Sequence, residues 1–122
     1  MSDEQAALVL AIVRAESGFN PDAAARTSSA SGLGQFIDRT GAAYGLTNAN
    51  RFDLKAGARA VVLHVKDLLG AMRNKTGGGD DFSLLYGLYH DGPSLRSGGV
   101  AIGTAVVVPW QERFKLWLEK QR

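Results

Sequence analysis

The stretch Ala7-Leu8-Val9-Leu10-Ala11-Ile12-Val13-Arg14-Ala15-Glu16-Ser17-Gly18-Phe19-Asn20 runs from Ala7 to Val13 without a polar side chain and then presents a carboxylate two residues before a glycine. Ser2, with Gln5 three residues on, reads as a capping box, so the pattern predicts a helix from Asp3 to Ser17. Such a helix is too apolar for the surface. Glu16 then stands above Val13, Ile12 and Val9 in its last turn, and Gly18 supplies a left-handed stop. Loss of water and the partly negative helix C-terminus both disfavour the anion, which would lift the carboxyl from about 4.3 toward neutrality. A carboxyl poised there can donate a proton in one step and recover one in the next. The plainer reading is a glutamate at the solvent edge of its helix, or one paired with Arg14 or Arg26.

Beyond this helix Pro21 keeps Asn20 out of helical geometry, and Phe19 can fold back as a hydrophobic latch. Ala23 to Ala30 is small and hydroxyl-rich, and Ser31-Gly32-Leu33-Gly34-Gln35-Phe36-Ile37 reads as loop with a short helix, its glycines allowing close backbone approach. Asp38 is placed to cap a further turn that Gly45 ends. Asp53 caps the clearest amphipathic helix, whose core face is Leu54, Ala58, Val61, Val62, Val65, Leu68, Leu69 and Met72. Lys55, Arg59, Lys66 and Arg73 fall off that face, and His64 reads as a surface residue rather than a ligand. Gly77-Gly78-Gly79 closes this helix, and Asp80 or Asp81 starts the next, Phe82 to about His90, which Gly92-Pro93 stops. Arg96 to Thr104, with three glycines, reads as mobile, and Ala105 to Val108 as the one short piece of strand. Pro109 suits the first position of a last helix carrying Trp110, Phe114 and Trp117 as core or docking anchors. The fold class is all-α, in a single domain over residues 1–122.

Composition narrows the function. A net charge of +2 with interleaved acidic and basic residues argues against a nucleic-acid partner, and no run is long enough for membrane insertion. The chain has no cysteine, so it needs no disulfide and is silent on redox compartment. Its acidic start is unlike a secretory signal.

Three stretches, in order, resemble the soluble type of lytic transglycosylase. Glu16-Ser17-Gly18-Phe19-Asn20-Pro21 is similar to the family's Glu-Ser-x-Phe-x-Pro. Ser31-Gly32-Leu33-Gly34-Gln35 is similar to its Ala-x-Gly-Leu-Met-Gln, with Gly34 where methionine is usual, and Phe36 to Thr40 to the Ile-x-Pro-x-Thr that follows. Leu88-Tyr89-His90-Asp91-Gly92-Pro93 is similar to its Ala-Tyr-Asn-Ala-Gly-Pro, and Val108-Pro109 with the aromatic helix to its closing segment. The resemblance implies a lysozyme-like helical domain acting on the peptidoglycan glycan strand, with Glu16 as sole catalytic acid and base. It implies that Ser17 holds the end of the catalytic helix, that Gln35 and Ile37 line the sugar groove, that Tyr89 lies near Glu16, and that His90 stands where an asparagine usually faces substrate. Read without it, Tyr89 is a core aromatic, Gln35 caps a turn, His90 is a helix-end cation, and Asp91 is a turn residue before Gly92-Pro93.

The implied reaction breaks the β-1,4 bond between N-acetylmuramic acid and N-acetylglucosamine without water, metal or cofactor, leaving a 1,6-anhydro end. The alternatives are a hydrolytic muramidase using Asp91 or Asp38 as second carboxylate, and an inactive wall-binding module of a larger phage tail or secretion protein. The substrate lies outside the cytoplasmic membrane and no export signal is visible. Periplasm, cell wall or phage virion is therefore the expected location, as part of a phage or secretion assembly.

Overall fold

The computed structural model describes all 122 residues. It is all-α: α1 is Asp3–Ser17, α2 Asp38–Ala43, α3 Leu54–Thr76, α4 Phe82–Asp91, α5 Gly99–Ile102 and α6 Val108–Lys120, with a π-helical segment, Gly103–Val107, joining the last two. Isolated bridges pair Ser31 with Ala24 and with Phe36. No helix is long and apolar enough to cross a membrane. The chain divides into two compact units, a terminal one of Met1–Ile12 with Val65–Arg122 and a middle one of Val13–His64.

In the terminal unit, α1 starts from the capping box anticipated for it. The Ser2 N–H donates to Gln5 Oε1 at 3.2 Å and the Gln5 N–H to Ser2 Oγ at 3.1 Å, satisfying two donors that the first turn leaves without partners. Ala7, Leu8, Ala11 and Ile12 are buried, one stripe of a helical wheel. Val65, Leu69 and Met72 of α3, Leu85, Tyr86 and Leu88 of α4, and Val107 complete the unit's buried apolar set. Gly77 and Gly78, both at positive φ, end α3. Asp81 caps α4 by accepting from the Leu84 N–H at 3.1 Å.

Of the segment read as mobile, Arg96 to Thr104, all from Gly99 on belongs to a continuous helical run ending at Lys120, and where a strand was expected over Ala105 to Val108 the first three residues lie in its π segment and Val108 opens α6. The Val108 N–H donates to the Gly103 carbonyl, five residues back. Pro109 follows with no N–H to donate, a natural place for the α pattern to lapse. The valines that suggested a strand are overridden because glycines let this run press against α4. A Cβ on Gly103 would lie 2.9 Å from the Ser83 carbonyl oxygen, and one on Gly87 only 2.4 Å from Val100 Cγ2. In α6, Gln111 is 4% exposed and donates to the Glu4 carbonyl at 3.1 Å, while Arg122 pairs with Asp3.

In the middle unit, Val13, Leu33, Phe36, Leu46, Ala60 and Val61 are buried. Asp53 caps α3 as expected, accepting from the Ala56 N–H at 2.8 Å. Leu54, assigned to the core from its spacing, is 57% exposed, because it is the first residue of the helix and precedes the turns that pack. Asp38 is not the cap of α2 but its first residue, and Ile37 precedes it in extended backbone. Ser29 Oγ accepts the Asp38 N–H at 3.0 Å, leaving the carboxylate free to pair with Arg51. His64 is half-buried rather than on the surface: its Nδ1 is 2.9 Å from the Tyr44 hydroxyl, and its ring packs against Tyr44 and Phe36 at centroid distances of 4.9 and 5.7 Å.

Candidate active site

Glu16 lies in the last full turn of α1 and is half-buried. The helix ends directly after it. Ser17 Oγ donates to the Val13 carbonyl at 3.2 Å, the Gly18 N–H to the Arg14 carbonyl at 3.0 Å, and Gly18 adopts φ +61°. Ser17 thus secures the helix terminus through its own hydroxyl. The chain then does something the sequence did not suggest: Phe19 is also left-handed, at φ +65°, and keeps 45% of its surface exposed instead of folding into the core. Two successive left-handed residues turn the chain sharply away, and the Asp22 N–H closes an Asx turn on Asn20 Oδ1 at 3.0 Å.

In the second stretch, Ser31 to Ile37, residues 32–35 form a tight turn closed by the Ser31–Phe36 bridge, and there is no helix. Gln35 is the last residue of the turn, with φ +54°. Its side-chain Nε2 donates to the carbonyls of Ala23 and Gly32, both at 3.0 Å, so the amide spans the loop and holds it closed. Gln35 is half-buried, and Ile37 is 45% exposed. The residue that organises this turn is Arg51, which no local pattern marked. Its guanidinium pairs with Asp38 and donates to the carbonyls of Ser29 at 3.2 Å and Phe36 at 2.9 Å, while its own carbonyl oxygen faces Gly32. Its partners lie 13 to 22 residues back in the chain, out of reach of any short-range signal.

The third stretch closes α4. Tyr89 is half-buried and lies near-parallel to Tyr86, centroids 6.3 Å apart, as i, i+3 neighbours on one helix face. His90 is exposed and holds Asp91 through Nδ1 at 2.6 Å. Asp91 is the last residue of α4, not a turn residue beyond it. Its side chain is 1% exposed and accepts the Gly99 N–H at 3.0 and 3.2 Å, which caps α5 from outside. Desolvation works against its ionisation. The hydrogen bonds from His90 and from the Ser97 and Gly99 N–H groups outweigh that and hold its pKa below the ordinary value. Both carboxylates considered as water activators, Asp91 and Asp38, therefore have structural partners.

Glu16, Ser17, Gln35 and Ile37 belong to the middle unit, and Tyr89 and His90 to the terminal one. The terminal unit also contains a cavity of about 400 Å³ lined by Leu10, Trp110, Arg113, Phe114 and Trp117. Its lining includes no carboxylate and no residue of the three motif stretches.

The family model of the Transglycosylase SLT domain matches residues 1–95, a span that includes all three motif stretches. No curated protein and no solved structure matches the chain. An all-helical fold, a glutamate at the end of the first helix, and a match over 95 of 122 residues agree with one another, and the chain belongs to the Transglycosylase SLT domain family, whose members are lytic transglycosylases of lysozyme-like fold.

Proposed function

We propose that this chain is a peptidoglycan lytic transglycosylase that cleaves the bond between N-acetylmuramic acid and N-acetylglucosamine with Glu16 as its single acid and base. The observation that carries the proposal is Glu16 itself, half-buried at the end of α1 and followed at once by the left-handed pair Gly18 and Phe19, in a chain of this family. The protonated carboxyl gives its proton to the departing glycosidic oxygen. Positive charge developing at C1 of the muramic acid is met by the sugar's own acetamido oxygen, which replaces a second protein carboxylate. Glu16, now a base, takes the proton of the C6 hydroxyl as that oxygen closes onto C1. The product is a 1,6-anhydro end and no water is consumed. Ser17 keeps the helix end in place, Gln35 and Ile37 contribute sugar contacts, and Tyr89 and His90 are further contacts to the strand.

Hydrolysis through Asp91 or Asp38 is the less supported reading. An activating carboxylate needs a free face toward water, which Asp91, closed in at 1% exposure, does not have; Asp38 does face solvent, but its carboxylate is committed to an ion pair with Arg51. With this substrate the working location is the cell wall, reached as part of a phage or secretion assembly. The test is Glu16→Gln, which keeps the side chain's size and removes its acidity. Release of muropeptides from purified sacculi should fall by ~10²–10⁴-fold with the helical content unchanged. Mass spectrometry of the wild-type products should find ends one water lighter than reducing ends. Activity retained by the variant would overturn the assignment, and reducing ends would turn it toward hydrolysis.

A further inference from the structure

His90 and Asp91 occupy the two positions where the resembled motif has asparagine and alanine, and together they do what neither of those residues can. The imidazole Nδ1 is 2.6 Å from Asp91 Oδ1. An ionised carboxylate only accepts, so the ring hydrogen of the neutral imidazole sits on Nδ1 and Nε2 is left with a bare lone pair. The histidine side chain is 31% exposed, and Nε2 makes no hydrogen bond within the chain. Its ring is steadied by Tyr86, with centroids 5.8 Å apart.

The carboxylate that selects this tautomer is itself immobile. It is 1% exposed and takes the Gly99 N–H on both oxygens. A Cβ on Gly99 would stand 2.8 Å from Asp91 Oδ1 and 2.9 Å from His90 Cβ, so a residue without one is required for the two helices to hold the pair. This is the orienting role an aspartate plays toward a catalytic histidine, without a nucleophile on the far side.

We propose that Asp91 is a positioning residue that fixes His90 with Nε2 turned outward as a hydrogen-bond acceptor for a donor on the glycan, a sugar hydroxyl or an acetamido N–H. This rests on the peptidoglycan reading above. An asparagine amide at position 90 both donates and accepts, whereas the oriented neutral imidazole accepts only, so the pair narrows which sugar group is taken there.

The decisive variant is Asp91→Ala in the full chain, which removes the oxygen that accepts from Nδ1 and lets the neutral ring return to the Nε2–H form favoured by a free imidazole. Ring ¹⁵N resonances should show the Nδ1–H form in the wild type and the Nε2–H form in the variant. Binding of an N-acetylglucosamine oligomer, which needs no turnover, should weaken about tenfold, and KM on sacculi should rise with kcat little changed. In a His90→Asn background the same substitution should add nothing. If Asp91→Ala does not fold, the wild type still answers, because the oligomer should shift His90 Nε2 and leave Nδ1 in place.

A wild-type ring with its hydrogen on Nε2, an Nε2 resonance unmoved by the oligomer, or an equal loss with and without His90 would each overturn the proposal. Absence of anhydro products alongside Asp91-dependent oligomer binding would instead remove the transglycosylase reading and leave the pair standing.

Discussion

Gly32 and Gly45 share a backbone requirement and differ in everything around it. Both are left-handed, at φ +81° and +84°, but a Cβ on Gly32 would lie 2.3 Å from the Arg51 carbonyl oxygen, whereas one on Gly45 would meet nothing within 4 Å. Gly45→Ala should therefore cost about 1–2 kcal/mol, the strain of a left-handed residue. Gly32→Ala should cost that and, in addition, displace the backbone of the residue that clamps the Gln35 turn. Urea denaturation of the two variants separates the terms, and equal losses would show that Arg51 yields freely. Tyr44→Phe is a smaller perturbation, expected to remove about 0.5–1.5 kcal/mol by deleting the hydroxyl that bonds His64 Nδ1. Glu16 and Ser17 were legible before any coordinates because their geometry is set within one helix turn. Arg51 was not, since it acts on carbonyls 15 and 22 residues back in the chain.

Among the helices, α5 depends most on a single side chain. With four residues it has little cohesion of its own, and the Asp91 carboxylate holds its first N–H. Because the folded-state pKa of Asp91 is depressed below its ordinary value of 3.8, the stabilisation is fully present above that value and drains away as pH falls through the lower folded one. Hydrogen exchange at the Gly99 amide should accordingly lose protection on acidification below about pH 4. In Asp91→Asn the protection should vary much less over that range, and an identical profile in both would refute the anchoring. The same helix explains a misreading. A glycine-rich run followed by valines looks mobile and then strand-like in isolation, yet those glycines are what permit Gly99 and Gly103 to approach α4 at the distance of backbone contact.

At the level of the full chain, the family match stops at residue 95 while the packing does not. Val107 is fully buried, Gln111 is 4% exposed and bonded to the first turn of α1, and Arg122 Nε donates to Asp3 Oδ2 at 3.0 Å. A chain ended at Ile102 should lose far more than its share of residues suggests. Val107 alone accounts for about 1.5–3 kcal/mol of apolar burial. Thermal melting should show a strongly lowered midpoint or no cooperative transition, and an unchanged midpoint would make α6 an appendage.

Capping boxes, glycine stops and amphipathic stripes are interactions over three to seven residues, so the sequence alone was sufficient for α1, α3 and α4 and for the placement of Glu16 at a helix end. The helical character of residues 99 to 107, the Arg51 clamp and the anchoring of His90 by Asp91 and Gly99 came only with the tertiary structure. Each of these rests on partners or packing that chain folding, and not local preference, brings within a hydrogen bond or a van der Waals radius.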